Sequence, residues 1–227
     1  MEAGMEKEYN LDELTRTTRK LEFDDGLVDL QNGLVFLLIG LLGALTMSTT
    51  GIELYMRGML FNPEITTIVL LALIPLFVLV TFGLRRLIKH YRRKVLWREM
   101  GVVEPFHWQV QTRFSLLAGL VWLVVVIAGW VLISIGPSEF DAGIRVFISA
   151  SGVATGVIYF AMGRSLHIER YLWVGAVAGG FSGLIMLLPL KASAAWLVFG
   201  LIWVIMLGIS GSLGLHSSLK RLRARAQ

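Results

Sequence analysis

Four histidines, His90, His107, His167 and His216, and the carboxylates Glu99, Glu104 and Glu169 are the residues whose types suit metal chemistry. Imidazole and carboxylate together suit zinc or iron, and Glu104 and His107 have the E-x-x-H spacing of a bundle-type di-iron motif. That motif needs a helix, and Pro105 directly after Glu104 disfavours helical backbone there. The same residues fall on one side of the membrane in the topology below, so they cluster with no help from a metal, and no metal site is expected. Cysteine is absent, which removes disulfides, thiolate ligands and cysteine nucleophiles. No G-x-S-x-G, HExxH, P-loop or G-x-G-x-x-G pattern stands in a supporting context. Ser210-Gly211-Ser212 and Ser149-Ala150-Ser151-Gly152 lie inside apolar runs and read as interhelical hydrogen-bond donors rather than nucleophiles. The expectation is a non-enzymatic chain with no cofactor and no catalytic residue.

The strongest charge feature is Leu84 to Arg98, LRRLIKHYRRKVLWR, with seven Arg or Lys among fifteen residues. Leu84, Leu87, Ile88, Tyr91 and Val95 recur at helical spacing, so the segment reads as a helix continuing the apolar run before it. Arg85, Arg86, Lys89, Arg92, Arg93 and Lys94 form its basic face. Such a face beside a bilayer attracts anionic headgroups at about 1 kcal/mol per basic residue near the surface. An acidic protein partner is the alternative. Nucleic acid is not expected, because no aromatic stacking platform or fold element accompanies the charge.

These residues must be positioned by a membrane architecture. The chain has 227 residues, 56% apolar and only 16% charged, with a mean hydropathy of +0.70. The apolar residues collect in runs that match the roughly 20 residues a helix needs to cross a bilayer. Spans are expected at about Gly33 to Met47, Ile65 to Gly83, Phe114 to Gly136, Ala142 to Gly163, Tyr171 to Leu190 and Ala194 to Leu215. Before them, Asn10 to Leu21 reads as an amphipathic helix with Asn10 and Glu13 as a capping box. Asp25 is a candidate N-cap for the first span, whose first turns keep Asp29, Gln31 and Asn32 polar. Pro63 stands at a favoured first helical position, and Pro75 is expected to kink the second span, for packing rather than gating. The chain is thus expected to be an all-α six-transmembrane-helix bundle with residues 1–26 as a cytoplasmic amphipathic segment. Residues 27–219 make the bundle, including a cytoplasmic loop at 84–113, and residues 220–227 a basic tail. No cleavable signal peptide is expected, and no internal repeat is visible.

Charge sets the orientation. With both termini cytoplasmic, the inside segments hold 18 of the 21 basic residues, and only Arg57, Arg145 and Lys191 lie outside, a strong positive-inside bias. The middle of the bundle carries almost no charge. Glu53 and Arg57 read as an i, i+4 pair on an external extension of the first span, and Arg145 as snorkelling or pairing with Glu139 or Asp141. This pattern speaks against a proton relay or a charged-substrate path. Small residues are plentiful: Gly175, Gly179 and Gly183 form a ridge in span 5, Gly152 and Gly156 in span 4, Gly40 and Ala44 in span 1, and Gly208 and Ser212 in span 6. Such ridges allow close helix packing within one bundle. A homodimer through span 5 is the sharper alternative.

The Phe23-Asp24-Asp25-Gly26-Leu27 lead-in, the basic extension after span 2 and the four further glycine-rich spans resemble an uncharacterised family of bacterial six-helix integral membrane proteins. The resemblance is one of layout over most of the chain. It implies a bacterial cytoplasmic membrane and carries no activity. The preferred reading is a membrane subunit or scaffold that binds a partner or anionic lipid on its cytoplasmic face. The alternative is the permease subunit of an ABC-type exporter, which this chain resembles in its six spans, its interfacial N-terminal helix and a cytoplasmic segment after span 2 that engages an ATPase. A membrane-embedded enzyme comes third.

Overall fold

The computed structural model of the protein describes residues 23–92, 94, 112–135 and 140–225, and all regular structure among them is helical. The expected N-terminal helix, Arg93, the segment around Glu99, Glu104 and His107, and Glu139 lie outside these residues. Seven helices follow in order: α1 (Leu27–Thr46), α2 (Thr49–Phe61), α3 (Pro63–Tyr91), α4 (Thr112–Ile135), α5 (Phe140–Leu166), α6 (Glu169–Leu184) and α7 (Ala192–Arg225). A 3₁₀ turn, Ile185–Leu187, prolongs α6. Five of them, α1, α3, α5, α6 with its 3₁₀ turn, and α7, are long and apolar enough to cross a membrane. The apolar stretch described in α4, Leu116–Val131, is shorter.

The helix starts follow local chemistry. Pro63 does open α3, where its missing N–H costs nothing. α1 begins earlier than its apolar run, at Leu27, so Asp29, Gln31 and Asn32 are part of the helix. Gly26, rather than Asp25, is its capping residue, at φ 72°, a backbone state that glycine adopts without strain. Asp25 still serves the helix end, accepting a hydrogen bond from the Leu27 N–H at 3.0 Å. α2 is not an extension of α1, because the chain breaks at Met47 and Ser48 and Ser48 caps a new helix by accepting from the Gly51 N–H at 2.9 Å. Pro75 lies within α3, whose helix runs on to Tyr91 as the apolar stripe requires. α7 likewise continues through the basic tail to Arg225.

α1, α5, α6 and α7 make the core. α1 and α7 run antiparallel: Gly33 faces Val204 and Leu207, and a Cβ on Gly40 would come within 2.7 Å of the Gly200 Cα. α5 and α6 also run antiparallel, and their glycines meet each other. A Cβ on Gly156 would lie 2.6 Å from the Gly175 carbonyl oxygen and 2.7 Å from the Gly179 Cα, so neither helix can carry a side chain there. Gly152 faces Ser182, and Gly183 faces Val153. The span-5 ridge is therefore packed against the chain's own α5. Trp203, fully buried on α7, ties the pairs together by stacking on Phe36 of α1 at 4.9 Å and donating its indole N–H to Ser182 of α6 at 3.1 Å. α4 lies along the outside of α5, where Trp122 donates to Ser151 at 3.2 Å. α3 lies beside α1, and its covered positions form one stripe: Thr66, Leu73, Phe77, Thr81, Leu84 and Ile88 are half-buried and Arg92 is buried.

The far end of the core, where α6 turns into α7, is closed by two side chains of α5. Arg145 donates to the Leu190 carbonyl at 2.6 Å, and Asp141 accepts from the Ala192 N–H at 3.0 Å. Each charge thus serves a backbone group at a helix end, rather than the two pairing with each other.

Candidate functional site

At the other end of the core, the side chains capable of chemistry converge on the start of α1. An aromatic column leads to them: Trp203 lies 5.5 Å from Tyr159, Tyr159 5.6 Å from Tyr171, and Tyr171 6.2 Å from Phe23, the last two edge to face. The two tyrosines place their hydroxyls on the polar residues of α1. Tyr171 donates to Asp29 Oδ1 at 2.5 Å, and Tyr159 accepts from the Asn32 amide at 2.8 Å. Ser210 of α7 donates to the second Asp29 oxygen, Oδ2, at 2.7 Å. Asp29 is 0% exposed, so one carboxylate on α1 is held by hydroxyls from α6 and α7.

Arg170 supplies the balancing charge. Its Nε stands 3.5 Å from Asp29 Oδ2, an ion-pair distance rather than a hydrogen bond. Its two terminal nitrogens donate to the backbone carbonyls of Phe23 and Asp24, the second at 3.1 Å. Two further arginines reach the same turn. Arg92 at the end of α3 makes a bidentate pair with Asp25, Nε to Oδ2 at 2.5 Å and Nη2 to Oδ1 at 2.7 Å, with both side chains buried. Arg221 of α7 pairs with Asp24 at 2.8 Å from a largely exposed position. Residues 23–26 are thus clasped by arginines from α3, α6 and α7.

The cluster can lock helices, and it shows no reactive atom to solvent. Asp29 and Tyr171 are fully covered and Ser210 nearly so. Each Asp29 oxygen already accepts a hydroxyl, which satisfies the carboxylate as burial demands.

The basic face is divided by the structure. Arg85, Arg86, Lys89 and Lys94 are exposed, whereas Arg92 is turned inward onto Asp25. At about 100° per residue along a helix, Arg85, Arg86 and Lys89 fall on the faces turned away from the Leu84–Ile88 stripe. His90 and His216 are exposed. His167 stands in the left-handed region, φ 55°, at the C-terminus of α5, where the Ile168 N–H closes onto the Gly163 carbonyl at 3.0 Å in a Schellman arrangement. Among the described residues no group of three or more His, Cys, Asp or Glu is placed to hold a metal ion.

Asp29 is the residue that sequence reasoning passed over. It stood among other polar residues in what reads as an exposed helix lead-in. Comparison with protein-family models, curated proteins and solved structures finds no match to this chain.

Proposed function

We propose that the chain is a non-enzymatic polytopic membrane subunit that crosses the bilayer six times, α4 providing the sixth span. Both termini lie in the cytoplasm, and α3 engages anionic lipid headgroups through Arg85, Arg86, Lys89 and Lys94. The carrying observation is that Arg85, Arg86 and Lys89 are exposed on a helix whose covered stripe points at the bundle, with Lys94 exposed just beyond its end. A basic face turned away from the protein, directly beyond an apolar span, lies at headgroup level. Exposed tryptophans support the same placement, since Trp173 is one turn from the start of α6 and Trp130 near the end of α4, where aromatic belts sit. The clasped turn at residues 23–26 lies at the same end as this basic face, which the 18-to-3 charge split assigns to the cytoplasm. The layout resemblance adds a bacterial cytoplasmic membrane as the location.

The test is thermal unfolding of the full chain in nanodiscs of phosphatidylglycerol or of phosphatidylcholine. The anionic lipid should stabilise the parent protein by up to about 1 kcal/mol per basic residue, less at high salt. Arg85→Gln, Arg86→Gln, Lys89→Gln and Lys94→Gln combined should abolish the difference. Equal stability of the parent in both lipids would sink the assignment. Co-purification of an ATPase with the solubilised chain would move it to the exporter-permease reading.

A further inference from the structure

α2 sits between two helices long enough to cross a membrane, yet none of its 13 residues is buried. At about 1.5 Å per residue it is some 20 Å long, too short to cross a hydrocarbon core of about 30 Å. It also cannot leave the end of the bundle, because only Met47 and Ser48 separate it from α1 and only Asn62 from α3. A close approach of Gly58 to Thr66 folds it against the first turn of α3.

Its residues are partly sorted by face. At about 100° per residue, Ile52, Tyr55, Met56 and Met59 share one side while Thr50, Glu53 and Arg57 share the other, with Leu54, Leu60 and Phe61 at the edges of that polar arc. The apolar side chains are all exposed, and the terminal Leu60 and Phe61, at 77% and 79%, are the most exposed large apolar residues described. The polar face carries one charge of each sign. The helices joined to it also carry exposed apolar side chains near it in the chain, Leu41 and Leu45 of α1 and Ile65 and Ile68 of α3.

We propose that α2 is an interfacial helix lying in the plane of the membrane, in the leaflet opposite the basic face of α3. Ile52, Tyr55, Met56 and Met59 rest on the acyl chains, and Glu53 and Arg57 face the headgroups and water. An amphipathic helix of this size, tethered at both ends at bilayer level, buries its apolar face in the headgroup–acyl boundary. The proposal rests on the membrane reading above, and it gives the protein a lipid contact on each leaflet: electrostatic through α3 and apolar through α2.

The chain has no cysteine, so single cysteines at each position from 50 to 59 except the tightly packed Gly51 and Gly58, in the full chain reconstituted in vesicles, can carry a nitroxide without background. Accessibility is read with oxygen, which concentrates in lipid, and with a nickel chelate, which stays in water. The oxygen-to-nickel ratio should be several-fold higher at 52, 55, 56 and 59 than at 50, 53 and 57, with a period of about 3.6 residues. High nickel accessibility on both faces would overturn the proposal in favour of a helix standing in water. Low accessibility to both reagents at 52, 55, 56 and 59 would overturn it in favour of a protein cover, such as a second copy. A Leu79→Cys label in mid-α3 separates the two levels. If Leu79 is oxygen-rich and α2 is not, this proposal alone falls, and if Leu79 is nickel-rich, the membrane reading falls with it.

Discussion

α3 has the most apolar stretch of the five helices able to cross a membrane, and it is the least covered: none of that stretch is buried, against 56% for α5. Hydropathy therefore does not decide which helices form the core. Lipid is as apolar as leucine, so a membrane helix gains little by exchanging lipid for protein unless something else favours contact. In the core two things do. Glycines at 40, 156, 175, 179 and 200 let backbones touch, and hydroxyls, amides and charges on α1, α5, α6 and α7 find partners on one another. The described part of α3 makes neither a glycine contact nor a mid-helix polar contact with α1. It is held by a half-covered stripe and by Arg92 at its end.

The largest expected effect tests the polar half of that contrast. Asp29→Ala leaves the Tyr171 and Ser210 hydroxyls without their acceptor and Arg170 without its counter-charge. Removing one partner of a buried pair costs about 3–5 kcal/mol, so the variant should lose most of its thermal stability in detergent. Tyr171→Phe and Ser210→Ala, which delete single interhelical hydrogen bonds, should each cost only about 0.6–1.7 kcal/mol. If Asp29→Ala melted no lower than Tyr171→Phe, the carboxylate would not be what joins α1 to α6 and α7.

The next effect tests the glycine half, and it is a reversal of sign. In an ordinary helix, glycine to alanine stabilises by up to about 1 kcal/mol. Gly156→Ala should instead destabilise by about 1–3 kcal/mol, because the new Cβ meets backbone that cannot move without separating α5 from α6. Gly180→Ala is the matched control on α6, since nothing lies within 4 Å of its Cβ position, and it should be neutral or mildly stabilising. Unfolding midpoints of the two variants in one detergent decide the point.

The same contrast explains what could be read from residues alone. The long helices were legible because apolar run length and Pro63 are local signals, and the ridge glycines of α1, α5 and α6 do meet neighbouring helices, whereas Gly208 of α7 meets nothing within 4 Å. The polar cluster was not, because Asp29 is bonded to residues 142 and 181 positions away. It shares its segment with Asp24, Asp25, Gln31 and Asn32, so nothing nearby marks it as buried. A faint signal existed, since Arg170 and Tyr171 open a helix at the end of the bundle where Asp29 begins one. By residue type Arg92 belongs to the basic face, but it stands four residues after Ile88 and so prolongs the covered stripe. α2 reads as an extension of α1 because helical pattern alone does not show that Ser48 starts a new helix.

The smallest effects come from the outer arginines of the clasp, and they sharpen the contrast most finely. Arg92→Gln breaks a buried bidentate pair, which in the core would be costly. On the flank the cost should appear as local opening, because α3 can undock while the four core helices stay packed. A nitroxide at Ile88→Cys should become more mobile in the Arg92→Gln background, while a label at the exposed Ile205 of α7 and the unfolding midpoint of the core change little. Arg221→Gln removes the third arginine from the same turn, but that side chain is 58% exposed, and exposed pairs contribute about 0–1 kcal/mol. It should leave both labels and the midpoint unchanged. Equal loosening of α3 by both substitutions would mean that the turn at residues 23–26 moves as a unit and that Arg92 has no special hold on α3. Loosening by Arg92→Gln alone would place the attachment of α3 in the Asp25 pair, at the junction between the largely uncovered helix and the helices that face each other.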